Sequence, residues 1–384
     1  MTTAAGRTLH AGALLPELIA VRGIAAVAIV CAHALSMATR GHGGVPPSVE
    51  YARLIVDFFF IQSGFVLAHV YDRTWREGRF HYLTFLGKRL ARLWPLHVVT
   101  LLVVAALVLA GRAAGLETEN PHTLWSFAVT FLMLHSTWAT SDLAWNWPSW
   151  SVSAEWCAYL AIPLFFLAAD RVRGSAARIA VGLGLFVACA AFSELVLGAD
   201  IVTLTYDGGA FRIIPSFFAG MLLRRMFDDE PALVAMSPRG YAATVGGVLA
   251  ACAALIAMNA TYDALWPLMV VLTAALASRA AQPKPGLLRG RALAWLGELS
   301  YAIYMTHAIV LQVTFTSAKL LGIGHTFPQR AALGFAALIA TAVVAQAAYT
   351  LVEKPGRSLM ARLLSQPRPA RAFAAAADRT GAGR

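Results

Sequence analysis

An all-α protein threaded repeatedly through a bilayer is the fold this sequence predicts, and three observations predict it. Of 384 residues, 59% are hydrophobic and only 13% are charged, against about 25% charged in soluble domains. The mean hydropathy is +0.64. Several apolar runs approach or exceed the roughly 20 residues with which a helix crosses a ~30 Å hydrocarbon core. A soluble domain of this length has no interior able to hide so much apolar surface.

In chain order the hydropathy predicts ten spans: 18–38, 49–71, 93–111, 150–169, 179–197, 211–226, 241–259, 262–280, 293–314 and 329–352. The first resembles a signal peptide in one respect, the small residues of "AHA" near its end. Its apolar stretch is long for a signal, and only Arg7 precedes it, so it reads as a retained helix. The piece "TLWSFAVTFLMLHSTW" (123–138) is about long enough for an eleventh span. The charges argue against it. With the N-terminus inside, ten spans put 25 of the 31 Lys and Arg residues on the cytoplasmic side, the side that carries the basic excess. The exceptions are Arg40, Arg53, Arg112, Arg212, Lys319 and Arg330. An eleventh span would place every later basic loop outside. Residues 123–138 therefore read as a re-entrant or interfacial segment of a long outer loop, 112–149, with Trp125 and Trp138 suited to the membrane interface.

The net charge of +11 is then an orientation signal rather than a nucleic-acid footprint. Residues 1–357 read as one membrane domain, and 358–384 as a cytoplasmic tail whose low-complexity end reads as disordered. Cys31, Cys157, Cys189 and Cys252 each fall in an apolar run without CxxC or zinc-ligand spacing. They read as small thiols buried between helices, and no metal site is expected.

Five stretches interrupt the apolar pattern with chemistry. In "ELIAVRGIAAVAIVCAHALSMATR" (17–40), His33 lies eleven residues beyond Arg22, roughly 16 Å deeper along a helix. An ionisable group at that depth faces protein or water. The imidazole is either a hydrogen-bond partner of a neighbouring helix or a general base, and Arg22 is either a snorkelling edge residue or part of the same site. In "DFFFIQSGFVLAHVY" (57–71), Asp57, Gln62, Ser63 and Gly64 mark either a close helix contact or backbone approaching a ligand. In "GKRLARLWPLH" (87–97), Arg89 and Arg92 share a helical face beside Lys88. This is a surface anchor or a phosphate clamp, since guanidinium pairs bidentately with phosphate. "NWPSWSVSAEWCAYL" (146–160) sets Glu155 among Trp150, Ser151, Ser153 and Trp156. "LGELSYAIYMTHAIVLQ" (296–312) sets Tyr301, Tyr304 and His307 along one helix, with 300, 304 and 307 on one face.

In this order the stretches resemble the acyltransferase-3 family of integral membrane acyltransferases, which includes bacterial O-antigen and exopolysaccharide O-acetyltransferases. The resemblance runs from residue 17 to about 357. It rests on the Arg-x10-His helix (Arg22, His33), "DFFFIQSGFVLAHVY", "KRLARLWPLH", "WSVSAEW", "GELSYAIYMTH" and the closing "VEKPGR" (352–357). Gln62, Ala154, Thr306 and Pro148-Ser149 depart from the family's usual residues.

The resemblance implies a bacterial inner-membrane enzyme with both termini cytoplasmic. Its donor would be acetyl-CoA or another acyl-CoA, entering from the cytoplasm. Its acceptor would be a hydroxyl of a carbohydrate or lipid-linked carbohydrate. His33 would be the general base, with Arg22 and Glu155 beside it, Glu155 either orienting an imidazole or binding the acceptor from the outer side. Lys88, Arg89, Arg92, Ser63 and Gly64 would hold the donor. Trp150, Ser153, Tyr301, Tyr304 and His307 would hold the acceptor. The alternative from the residues alone is a proton-coupled transporter with His33, Glu155 and His307 as an intramembrane relay.

Overall fold

The computed structural model describes Leu9 and residues 15–41, 44–116, 121–282 and 286–365, and among them it is helical with no strand. The expected end of the tail, 366–384, lies outside the described residues. The first helices are α1 (Pro16–Thr39), α2 (Pro47–Glu50), α3 (Leu54–Arg76), α4 (Tyr82–Ala113) and α5 (Leu124–Phe131). Then come α6 (Trp150–Leu160), α7 (Ile162–Arg171), α8 (Ser175–Phe192), α9 (Gly209–Asp229) and α10 (Pro231–Val234). The chain continues through α11 (Pro238–Ala257), α12 (Tyr262–Ala280), α13 (Arg291–Leu320), α14 (Phe327–Ala348) and α15 (Lys354–Ser365). Proline opens several of these helices, among them α1, α11 and α14, where its missing N–H has no intrahelical partner to lose. Thr326 and Gln329 close a reciprocal cap at the start of α14.

Seven helices are long and apolar enough to cross a membrane, or eight if α6 and α7, bent by 62° at Ala161, make one span. That is fewer than the ten read from hydropathy. The shortfall lies in α9 and α13, which are 21 and 30 residues long, about 30 and 45 Å. Their polar residues, Arg212, Arg224 and Arg225 on α9 and Tyr304 and His307 on α13, are buried against other helices. The segment 123–138 contains only the 8-residue α5, about 12 Å long, so no eleventh span forms there. The basic stretch 72–92, which carries Arg73, Arg76, Arg79, Lys88, Arg89 and Arg92, is mostly helix, because α3 runs to Arg76 and α4 begins at Tyr82; Arg, Lys and Leu are good helix formers. Of the four free cysteines, Cys31 is exposed on α1 rather than buried.

Small residues set the two tightest crossings. A Cβ on Gly64 of α3 would sit 1.9 Å from the Phe217 carbonyl oxygen of α9, and one on Gly220 of α9 would sit 2.0 Å from the Ile61 oxygen of α3. Gly23 of α1 and Gly297 of α13 meet in the same way, with a Cβ on Gly297 only 2.2 Å from the Ile19 oxygen. In a bilayer helices associate through such close backbone approach. Gly64 thus packs α3 against α9.

The α3–α9 pair is also stitched by charge. Arg212 Nη2 donates to Asp57 Oδ2 at 2.6 Å, with both side chains 3% exposed or less. Ser216 adds a hydroxyl to Asp57, and Trp266 donates to Ser216. At the other end of the two helices, Arg225 bonds Asp72 and Asp170. A single charge buried here without its partner costs several kcal/mol, so these pairs fix the register of α3 on α9.

Candidate functional site

α1 and α13 cross closely at Gly23 and Gly297 and run on side by side, which brings His33 to His307. His33 Nδ1 lies 3.0 Å from His307 Nε2, and the two rings stack with centroids 5.2 Å apart and planes 5° from parallel. Trp147, in the turn before α6, stands edge-on to His33 with centroids 4.5 Å apart. His307 Nδ1 lies 2.6 Å from the Tyr304 carbonyl oxygen.

This chain of bonds sets the protons. A carbonyl only accepts, so His307 Nδ1 carries the hydrogen. In a neutral ring His307 Nε2 then holds a lone pair, and His33 Nδ1–H donates to it. The remaining nitrogen, His33 Nε2, is left with a lone pair and no proton. That is the form a general base requires. The partner that orients His33 is therefore His307. Glu155, expected either to orient an imidazole or to bind the acceptor, bonds neither histidine among the described residues.

His33 opens onto a cavity of about 1550 Å³, lined also by Trp145, Trp147, Trp150, Tyr304 and Arg212. Two of the expected acceptor residues, Trp150 and Tyr304, are there. Trp150 lies under the Arg212 guanidinium at 5.1 Å, and the Tyr304 hydroxyl bonds Ser151 and the Pro148 carbonyl. Ser153 is elsewhere: fully buried, it donates to the Met133 carbonyl and accepts from the Ser136 amide, so it fastens the outer loop. Tyr301 is also elsewhere, donating to the Leu93 carbonyl at 2.7 Å. Neither lines the cavity, and both hydroxyls are bonded to backbone.

A second cluster gathers one turn or more toward the other end of the bundle. Arg22 lies over the Phe59 ring and feels the charges of Arg92, Glu155 and Arg89. Glu155 accepts hydrogen bonds from Ser63 Oγ at 2.5 Å and from the Tyr159 hydroxyl. Glu155 is thus tied to Ser63 of α3 and to Tyr159 of its own helix. Arg89 stacks on Tyr71 and Phe85. Arg92 is half-buried and hydrogen-bonds nothing among the described residues. Lys88 is exposed and does not join the cluster, because its direction on α4 points away from the bundle. Arg73, Arg76 and Arg79 are paired with Glu77 or Asp72, so the uncommitted cations of the basic stretch reduce to those on α4.

Arg22 and His33 face the same side of α1, since eleven residues make three turns and about 20°. The structure thus holds two polar sites about 16 Å apart on one helix face. One is a guanidinium cluster and the other an imidazole pair under a large cavity. Arg212, Trp147 and Tyr159 were not expected as site residues. The signal for Arg212 was its place among the basic residues on the wrong side of the membrane.

A family model described as an acyltransferase domain matches residues 15–349. The chain is 26% identical to acyltransferase MdmB of Streptomyces mycarofaciens over 91% of its own length and 93% of that protein. It is 27% identical to exopolysaccharide production protein ExoZ of Rhizobium meliloti, over 78% of its length and 88% of that protein. A third relative, protein 2 in the picA locus of Rhizobium radiobacter, is 42% identical over 98 residues, covering 26% of the chain. No solved structure matches.

Proposed function

This chain belongs to the acyltransferase-3 family, and we propose that it moves an acyl group, acetyl in the simplest case, from acyl-CoA to a hydroxyl of a glycan or glycan-linked acceptor. The observation that carries the reading is the bond chain Tyr304 carbonyl–His307–His33, which leaves one basic nitrogen on an imidazole that lines a large cavity. In the reaction His33 Nε2 takes the acceptor hydroxyl proton as the oxygen attacks the thioester carbonyl. The thiolate of coenzyme A leaves as the C–S bond breaks and takes the proton held by the His33 imidazolium, which restores the base. Arg22 and Arg92, at the donor end, meet the phosphate groups of the coenzyme, and the ~16 Å between the sites is spanned by its pantetheine arm.

Purified protein with acetyl-CoA and a glycan acceptor should release free thiol only when both substrates are present. Arg92→Ala should weaken donor binding by roughly 10- to 100-fold, the worth of one charge-assisted hydrogen bond. Thiol release that ignores the glycan, or donor binding untouched in this variant, contradicts the assignment.

The reading includes an orientation. With α9, α13 and the bent α6–α7 pair counted as spans, ten cross the inner membrane and the termini lie in the cytoplasm. Residues 112–149 are then outside, with α5 lying at the interface. A cysteine placed at the exposed Ser141, in a background without the four native thiols, should react with an impermeant maleimide on intact cells. Reaction only after permeabilisation reverses the orientation.

A further inference from the structure

Six basic residues stand against the charge rule that orients the chain, and five of them meet in one place. Arg40, Arg53, Arg212, Lys319 and Arg330 all line the cavity above His33; only Arg112 does not. Basic residues on the translocated side oppose the orienting rule, so their convergence on one cavity calls for a ligand. Glu50 is the one carboxylate among the lining residues. It is paired with Arg53 at 2.8 Å, and Arg212 is matched by Asp57.

Three charges are left without a carboxylate among the described residues. Arg330 bonds the Ala38 and Met37 carbonyls that end α1 and lies over Phe315, but carbonyls do not neutralise it. Arg40 and Lys319 are exposed into the mouth of the cavity and hydrogen-bond nothing among the described residues. They come from the C-terminal ends of α1 and α13, with Arg330 at the start of α14. Among the described residues the mouth thus carries about three positive charges with no carboxylate paired to them, and low-dielectric walls concentrate their field on whatever enters.

The deeper wall is aromatic. Trp145, Trp147 and Trp150 line it, and Trp145 is held there at a cost. Its φ of 61° is left-handed, a conformation that costs a bulky residue about 1–3 kcal/mol. Its ring is pinned by a bond from Nε1 to Ser126 Oγ and an edge contact with Phe127. Indole faces cover apolar area while their rims stay polar, which suits the C–H faces of a sugar ring.

We propose that the acceptor is anionic: a sugar carrying a carboxylate or phosphate, seated with its ring on the tryptophan wall and its charge at Arg40, Lys319 and Arg330. This rests on the cavity being the acceptor site of the acyltransferase, and the experiment keeps the two apart by reading binding without catalysis. The full chain in nanodiscs is titrated with three probes while tryptophan fluorescence is followed: a cello-oligosaccharide, an oligogalacturonate of the same length, and glucose 1-phosphate. The double variant Arg40→Gln/Lys319→Gln removes two charges that no fold contact uses, and acetyl-CoA binding is its control for folding.

The oligogalacturonate or the hexose phosphate should bind at least about tenfold tighter than the neutral oligosaccharide. The advantage should vanish in the double variant and shrink with salt, with acetyl-CoA binding unchanged. Which of the two anions binds tells a uronic acid from a phosphate-linked acceptor. Equal binding of charged and neutral probes, or an anion preference that survives the double variant, overturns the proposal. So does loss of acetyl-CoA binding in a variant that remains folded by circular dichroism, because the charges would then serve the donor.

Discussion

His33→Gln is expected to reduce acyl transfer by about 10²- to 10⁴-fold, the usual worth of a general base, while the protein inserts and binds acyl-CoA as before. Glutamine tests the base in particular. Its side-chain amide can still donate to His307 Nε2, so the contact between α1 and α13 survives. What it lacks is a nitrogen able to take a proton near neutral pH. His33→Ala removes both functions and keeps a strong helix former in α1. If the two variants lose transfer alike and still bind donor, the imidazole acts through its lone pair. Near-native transfer by the glutamine variant would instead make His33 a hydrogen-bond bridge between helices and leave the base unidentified.

How much of this was legible beforehand depends on the distance over which each fact is encoded. Arg22 and His33 sit on one helix, and eleven residues fix their common face by helical geometry alone. Their relation is therefore present in the sequence. The partner of His33 is 274 residues away, and the Tyr304–His307 spacing shows only that both share a helix. The pairing needs the α1–α13 crossing, which Gly23 and Gly297 permit but do not announce.

The partners of Glu155 were hidden for a related reason. It stands five residues after the first residue of α6, and its carboxylate bonds Ser63, 92 residues away on α3, a pairing that the sequence does not announce. Ser153 and Tyr301 were read as substrate contacts because a hydroxyl in an apolar run is conspicuous. Whether backbone already uses that hydroxyl is a tertiary fact. Gly64 had two readings in sequence, and a carbonyl 1.9 Å from its missing Cβ shows the close helix contact. Hydropathy read ten spans, and seven or eight helices are long and apolar enough; the difference lies in α9 and α13, which carry their polar residues inward, and sequence alone does not say which way a side chain faces.

Replacing His307 with leucine is expected to lower kcat about 10²-fold or more and leave the KM for acyl-CoA unchanged. His307 does not touch the reacting atoms in this arrangement; it positions the residue that does. Its Nδ1–H is committed to the Tyr304 carbonyl, so its Nε2 is the only acceptor offered to His33 Nδ1–H in the bond chain. Leucine fills similar space and suits a helix, but it accepts nothing. The His33 proton then has no reason to stay on Nδ1, and a tautomer with the proton on Nε2 faces the acceptor with a donor where a base is needed. In serine proteases the loss of the group that fixes the histidine tautomer costs about 10⁴-fold, which sets the scale. His307→Gln is the informative companion, because its side-chain oxygen can accept from His33 Nδ1 and hold the productive tautomer. It should recover a substantial part of the lost kcat. A purely structural His307 predicts the opposite pattern, with both variants losing folded protein together and neither changing kcat per folded molecule. Transfer by the leucine variant at the native rate would remove His307 from the mechanism.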